Sequence, residues 1–166
     1  MATILLKENE IHTIGELPAV GSQAVDFELV ASNLSRVCLK DYAGSRLVLN
    51  IFPSLDTGTC AASVRHFNEL AGKLPDTKVL CISRDTPFAQ SRFCGAEGLE
   101  NVITLSDFET GQFGKDYGLQ LIDGPMKGFL SRVVIIVDAS GKVEYTQQVP
   151  ILSDEPNYDE VVAALN

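Results

Sequence analysis

The residues best suited to chemistry lie in Pro53-Ser54-Leu55-Asp56-Thr57-Gly58-Thr59-Cys60, where an apolar strand pattern gives way to a helical one. A helix amino-terminus leaves backbone N–H groups unpaired and carries the positive end of the macrodipole, so a cysteine placed there has its thiolate favoured over its thiol. An ordinary thiol of pKa about 8.5 is only slightly ionised at neutral pH, and lowering that value to about 6 raises the reactive species roughly thirtyfold. Thr57, three residues before Cys60, brings a hydroxyl beside the sulfur, and Pro53 fixes the chain's exit from the strand and can shield the site. The pattern is that of a nucleophilic or redox cysteine. Free cysteines are among the most buried residues and most are inert, but burial alone would not call for the Gly/Thr-rich turn before Cys60.

Three other cysteines complete the set. Cys81 lies in an apolar run and reads as an inert core thiol, as does Cys38, whose face strand alternation leaves undecided. Cys94, among Gln90, Ser91, Arg92, Gly95, Glu97 and Gly98, has a polar setting that suggests a mobile, partly exposed thiol. Four cysteines allow three full pairings, and the environments separate Cys38 and Cys81 as buried from Cys60 and Cys94 as accessible. The pair to expect in redox work is Cys60 with Cys94. They are too far apart in sequence for a Cys-x-x-Cys dithiol, and no such motif occurs in the chain.

Other chemistries fit less well. Four scattered cysteines with His12 and His66 give no paired zinc-ligand spacing, and no metal or organic cofactor is expected. A cysteine hydrolase would need His66 as base for Cys60, yet six residues along a helix set the two nearly two turns apart. His12 is expected to pack or hydrogen-bond. Arg132, opening an apolar strand, is the better electrostatic partner, because a guanidinium there can reach the sheet edge near a thiolate and an incoming oxygen.

Composition bounds the remaining classes. The 166 residues suit one domain, 1–166, and 45% hydrophobic with 21% charged residues can bury a core. Thirteen Lys and Arg against 22 Asp and Glu give a formal charge of −9, which argues against a nucleic-acid partner. The first residues do not resemble a signal peptide, and no apolar run approaches the roughly 20 residues that span a bilayer. A cytoplasmic protein without membrane contact is expected, in a compartment that keeps ordinary thiols reduced.

The elements that must position these residues follow from periodicity. Thr3 to Lys7 and Glu10 to Ile14 alternate around Glu8-Asn9 and predict an amino-terminal hairpin. Asp26 to Val30 and Arg36 to Leu39 read as short strands, and Leu47 to Phe52 as one buried on both faces. From Cys60 the spacing of Val64, Phe67, Leu70, Ala71 and Leu74 is helical. Lys78 to Ser83 is a buried strand, Pro87 to Cys94 a short helix, Asn101 to Leu105 a strand and Thr110 to Tyr117 a helix. Arg132 to Val137 and Lys142 to Gln147 flank the turn Asp138-Ala139-Ser140-Gly141 as a hairpin, and Asn157 to Leu165 is helical. This order predicts an α/β protein with a mixed central sheet flanked by helices, and a thioredoxin-like layout fits it.

With these residues in place, Pro53-x-x-x-Thr57-x-x-Cys60 resembles the active-site motif of peroxiredoxins. The strings Asn50 to Arg65 and Pro87 to Leu99 are similar to the bacterial thiol peroxidase subfamily, the atypical two-cysteine peroxiredoxins, and the likeness covers nearly the whole chain. The resemblance implies that Cys60 is the peroxidatic and Cys94 the resolving cysteine, with Thr57, Arg132 and Pro53 completing the peroxide pocket. It further implies a thioredoxin-like fold with an amino-terminal hairpin, a homodimer, thioredoxin as reductant, and hydroperoxides, alkyl ones included, as substrates. Cys38 has no counterpart in that pattern.

Overall fold

Strand β5 (Arg46–Ile51) is apolar at nearly every position because both faces of the sheet are covered where it lies, and Leu47 to Ile51 are all buried. The computed structural model describes residues 1–166 and sets β5 in a seven-stranded sheet. Its companions are β3 (Glu28–Ala31), β4 (Arg36–Cys38), β6 (Thr77–Ser83), β7 (Val102–Ser106), β8 (Val133–Val137) and β9 (Val143–Gln148). The order is β4-β3-β7-β6-β5-β8-β9. Strands β5, β6 and β7 run parallel, and the other neighbours are antiparallel, so the sheet is mixed as expected. A separate hairpin of β1 (Thr3–Leu6) and β2 (Asn9–His12) precedes it.

The two-residue period of strands sorts the core into two layers. Leu47, Leu49 and Ile51 join Leu80, Ile82, Leu105 and Ile135 on one face, beneath Phe113 of α3 (Gln112–Asp116). Val48 joins Val79, Cys81, Val134 and Ile136 on the other. There α1 (Gly58–Ala71) contributes Val64 and Phe67, both fully buried, and α4 (Tyr158–Leu165) contributes Val161 and Leu165. Burying an apolar side chain of this size stabilises by about 1.5–3 kcal/mol. Helix α2 (Pro87–Glu97) leans on this second layer through Phe93 and Cys94. Cys60 and Cys94 therefore lie on the same side of the sheet.

Three local expectations need correction. The hairpin turn is Lys7-Glu8 rather than Glu8-Asn9: Lys7 takes a left-handed φ of 58°, and Asn9 pairs with Leu6. Helix α2 does not stop at Cys94. Gly95 is tolerated inside it, and the helix runs to Glu97, where Gly98 at φ 67° caps the end with its N–H on the Cys94 carbonyl. The helix expected over Thr110 to Tyr117 is regular only at Gln112–Asp116.

Candidate active site

Parallel strands deliver their following helices to one edge of the sheet, and there the chain turns from β5 through Pro53 into α1. Thr57 is the N-cap in an extended conformation, and Cys60 is the third helical residue. The Thr57 hydroxyl accepts a long hydrogen bond of 3.4 Å from the Cys60 amide and donates to the Ser54 carbonyl at 3.0 Å. The hydroxyl therefore engages the Ser54 carbonyl and the Cys60 amide rather than the sulfur, which refines the sequence reading.

Arg132 sits just ahead of β8 and is 2% exposed. Its Nη1 donates to the Cys60 sulfur at 3.3 Å, and its Nε donates to the Leu152 carbonyl at 2.9 Å. The Arg132 carbonyl accepts from the Val149 amide at 3.0 Å and from Gln148 Nε2 at 3.3 Å, which pins the residue from both sides. The sulfur thus accepts a hydrogen bond from a buried guanidinium and sits beside the unpaired N–H groups of the α1 start. Arg132 forms no salt bridge with a carboxylate, and the polar partners of its guanidinium are the sulfur and a carbonyl.

Beside Arg132 lies a cavity of about 220 Å³ lined by that residue, Pro53 and Thr57 together with Leu6, Met126 and Leu152. Pro53 is buried and forms part of the wall. Cys60 itself is 0% exposed and does not line the cavity, so the sequence reading of an accessible thiol is corrected: the sulfur is linked to the cavity through Arg132, which does line it. A larger cleft of about 430 Å³ at the β3–β4 edge is lined by Asp26, Glu28, Glu109 and Asp116 and contains Cys38. Its carboxylates oppose a thiolate, and burial followed by Asp26, Asp41 and Glu28 pushes the Cys38 thiol up. The smaller cavity is the one whose charge suits a reactive sulfur.

Of the remaining cysteines, Cys81 is buried and Cys94 partly exposed as expected, whereas Cys38 is less buried than expected. Cys38 is half-buried and Cys81 fully buried, and all four thiols are free. Burial pushes the Cys81 thiol up to about 12, partly offset by its hydrogen bond from Asn50. Cys94 is half-buried in the last turns of α2, and burial raises its pKa as well. His66 is no base for Cys60, because its ring stacks on Tyr158 at 3.6 Å between centroids. His12 bonds Asp123 at 2.7 Å, as its reading as a packing residue anticipated.

Several contributors carry no sequence signal. Asp85, between β6 and α2, accepts from the Ser54 hydroxyl at 2.7 Å, the Leu55 amide at 2.9 Å and the Ser83 hydroxyl at 2.6 Å. It thereby holds the turn that carries Pro53 and Thr57. Thr59 donates to the Ser153 carbonyl at 2.9 Å, tying the helix start to the segment that supplies Leu152. Behind Cys60, Ser63 donates to the Cys60 carbonyl at 2.8 Å and receives a bond from Asn50. Ser54 and Leu55 lie 31 and 30 residues from Asp85, and Ser153 lies 94 from Thr59, so no local spacing could reveal these links.

A cysteine at a helix start, faced by a buried arginine at the edge of an α/β sheet, is the site of a thioredoxin-like fold adapted to thiol chemistry. Residues 19–162 match the family described as Redoxin, and the chain belongs to that family. It is 55% identical to the thiol peroxidase of Corynebacterium glutamicum over 166 residues, all of both chains, and 51% identical to that of Mycobacterium bovis over 99% of each. Among solved structures, the peroxiredoxin-like protein of Aquifex aeolicus superposes with a TM-score of 0.92 at 37% identity, covering 98% of this chain and 95% of that one. The thiol peroxidase of Chromobacterium violaceum has a TM-score of 0.91 at 22% identity, covering 98% and 94%, and attests the fold.

Proposed function

We propose that this chain is a thiol peroxidase that reduces hydrogen peroxide and organic hydroperoxides, with Cys60 as the peroxidatic and Cys94 as the resolving cysteine. The observation that carries the reading is the 3.3 Å contact of buried Arg132, which lines the cavity, with the Cys60 sulfur. The Cys60 thiolate attacks one peroxide oxygen, the O–O bond breaks, and the second oxygen leaves with a proton as water or alcohol. A sulfenic acid remains on Cys60. Arg132 faces the sulfur and the developing oxyanion together, and Thr57 can turn its hydroxyl toward the oxygen once the long cap bond is released. Pro53 walls the pocket and restricts water beside the sulfur.

The Cys94 thiol then displaces hydroxide from the sulfenic sulfur. A Cys60–Cys94 disulfide forms, and one water is released with the thiol proton. Thioredoxin, as a dithiol, reduces that disulfide by two exchange steps. The cycle calls for no metal or organic cofactor. The reading takes residues 1–166 as one domain, since the hairpin is joined to the body by the Leu5 amide on the Pro150 carbonyl at 2.8 Å. It places the protein in the cytoplasm, where thioredoxin is reducing; no helix is long and apolar enough to cross a membrane. It also takes the working form as a homodimer, for which the exposed rings of Phe88, Phe108 and Phe129 offer apolar contact surface.

The test is peroxide consumption with thioredoxin, its reductase and nicotinamide reductant, using several hydroperoxides. Cys60→Ser is expected to lose all consumption, whereas Cys94→Ser performs one oxidation and then stops. Continued turnover in either variant overturns its assigned role.

A further inference from the structure

Both cysteines stand in intact helices that start from the same edge of the sheet. Cys60 is two residues past the first residue of α1, about 3 Å along its axis, while Cys94 is seven past Pro87, about 10 Å along α2. A disulfide requires Cα atoms within about 7 Å, so the axial offset alone takes up the tolerance before any lateral distance is added. The end of α2 must unwind for the bond to form. That end is lightly built. Of its eleven residues only Pro87 and Gln90 are buried, both in the first half, where Gln90 Nε2 donates to the Leu105 carbonyl at 2.9 Å. The second half carries Gly95 and ends on Gly98, both of which favour an unwound chain.

One side chain from α1 spans the gap to that half. Arg65 Nε and Nη2 donate to the two carboxylate oxygens of Glu97 at 3.1 and 2.9 Å, and its guanidinium lies 5.8 Å from the centre of the Phe93 ring. Phe93 and Glu97 bracket Cys94, so a single arginine grips the turn that holds the resolving thiol. We propose that Arg65 is a positioning residue that latches the Cys94 turn and sets the rate at which the disulfide forms, and thereby the dose of peroxide that over-oxidises Cys60. The inference rests on the Cys60–Cys94 pairing argued above. While the latch is closed, a Cys60 sulfenic acid waits, and a second peroxide can oxidise it to sulfinic acid with release of water or alcohol. Opening the latch shortens that wait. The hydrogen bond to Arg65 holds the Glu97 carboxyl below its usual range, so the pair stays charged at neutral pH. A second, longer pair of 3.7 Å joins Arg92 to Asp56 and ties α2 to the active-site turn rather than to α1.

An exposed ion pair and an exposed cation–π contact together shift an opening equilibrium roughly three- to tenfold. The experiment follows wild-type, R65Q, E97Q and the charge-reversed R65E/E97R double variant after one equivalent of hydrogen peroxide. Sulfenic acid formation is timed by stopped flow, disulfide by acid-quenched mass spectrometry, and sulfinic acid by mass at rising peroxide during thioredoxin-linked turnover. In R65Q the first step should be unchanged, disulfide formation three to ten times faster, and the half-inactivating peroxide dose higher by a similar factor, with much of the difference reversed in R65E/E97R. Molar salt should accelerate disulfide formation in the wild type more than in R65Q. Equal or slower disulfide formation in R65Q overturns the latch while leaving the pairing intact. A disulfide between these cysteines that forms in none of the proteins overturns the pairing and the latch with it.

Discussion

The guanidinium of Arg132 binds the Cys60 sulfur through Nη1 at 3.3 Å and the Leu152 carbonyl through Nε at 2.9 Å. One residue thus joins the nucleophile to the wall of its pocket. Arg132→Met should lower the second-order rate with peroxide by about 10²- to 10³-fold, the usual cost of losing one donor aimed at developing charge. It should also cost about 1–3 kcal/mol of stability, because the Leu152 carbonyl loses its partner. Arg132→Lys keeps the charge without the fork and should fall between the two. Stopped-flow oxidation and urea unfolding separate the two effects.

Thr57 supports both the helix and the site. Thr57→Val removes the acceptor for the Cys60 amide and should destabilise the protein by about 1 kcal/mol, while lowering the peroxide rate at least tenfold. Thr57→Ser retains the hydroxyl and should restore most of both. A Val variant with wild-type kinetics would remove Thr57 from the chemistry.

Asp85 gathers three donors around the turn that bears Pro53 and Thr57. Asp85→Ala should slow sulfenic acid formation about ten- to a hundredfold through misplacement of that turn. Asp85→Asn keeps one acceptor oxygen and should recover part of the loss. Circular dichroism of both variants should stay near wild type, since Asp85 lies outside the apolar layers.

The buried Cys81 thiol, raised to about 12, makes stability depend on alkaline pH. In the folded chain it stays neutral while the unfolded thiol ionises. Its contribution is therefore intact below about pH 9 and is lost progressively from there toward pH 12, amounting to about 2 kcal/mol by pH 10.5. Urea unfolding of wild type and Cys81→Ala between pH 8 and 10.5 checks this. The alanine variant should be less stable at pH 8 and should lose less on going to pH 10.5.

Much of this arrangement was legible in the chain. The run from Leu47 to Phe52 announced a central strand because coverage on both faces leaves no polar alternation, and Thr57 with Cys60 marked a helix start because caps are local. The half-exposed setting of Cys94 was legible, but not how far its helix runs. Glycine and polar neighbours suggested a loose segment, whereas Gly95 is carried inside a helix that Gly98 closes in the left-handed conformation. Cys38 and Cys60 exchanged exposure for a related reason: a three-residue edge strand leaves a thiol half-covered, and the fold of the pocket hides the one at the helix start. Asp85 and Arg65 work through partners some thirty residues away, and such pairings are fixed by tertiary packing rather than by spacing.

Leu6 of the amino-terminal hairpin stands in the wall of the Cys60 cavity, although the Redoxin match begins only at residue 19. The appended ribbon therefore shapes the pocket and also braces it, since the Leu5 carbonyl accepts from the Leu152 amide of the segment that anchors Arg132. A bulkier residue at that one position should narrow the cavity and slow large organic hydroperoxides more than hydrogen peroxide, which competition between the two would read.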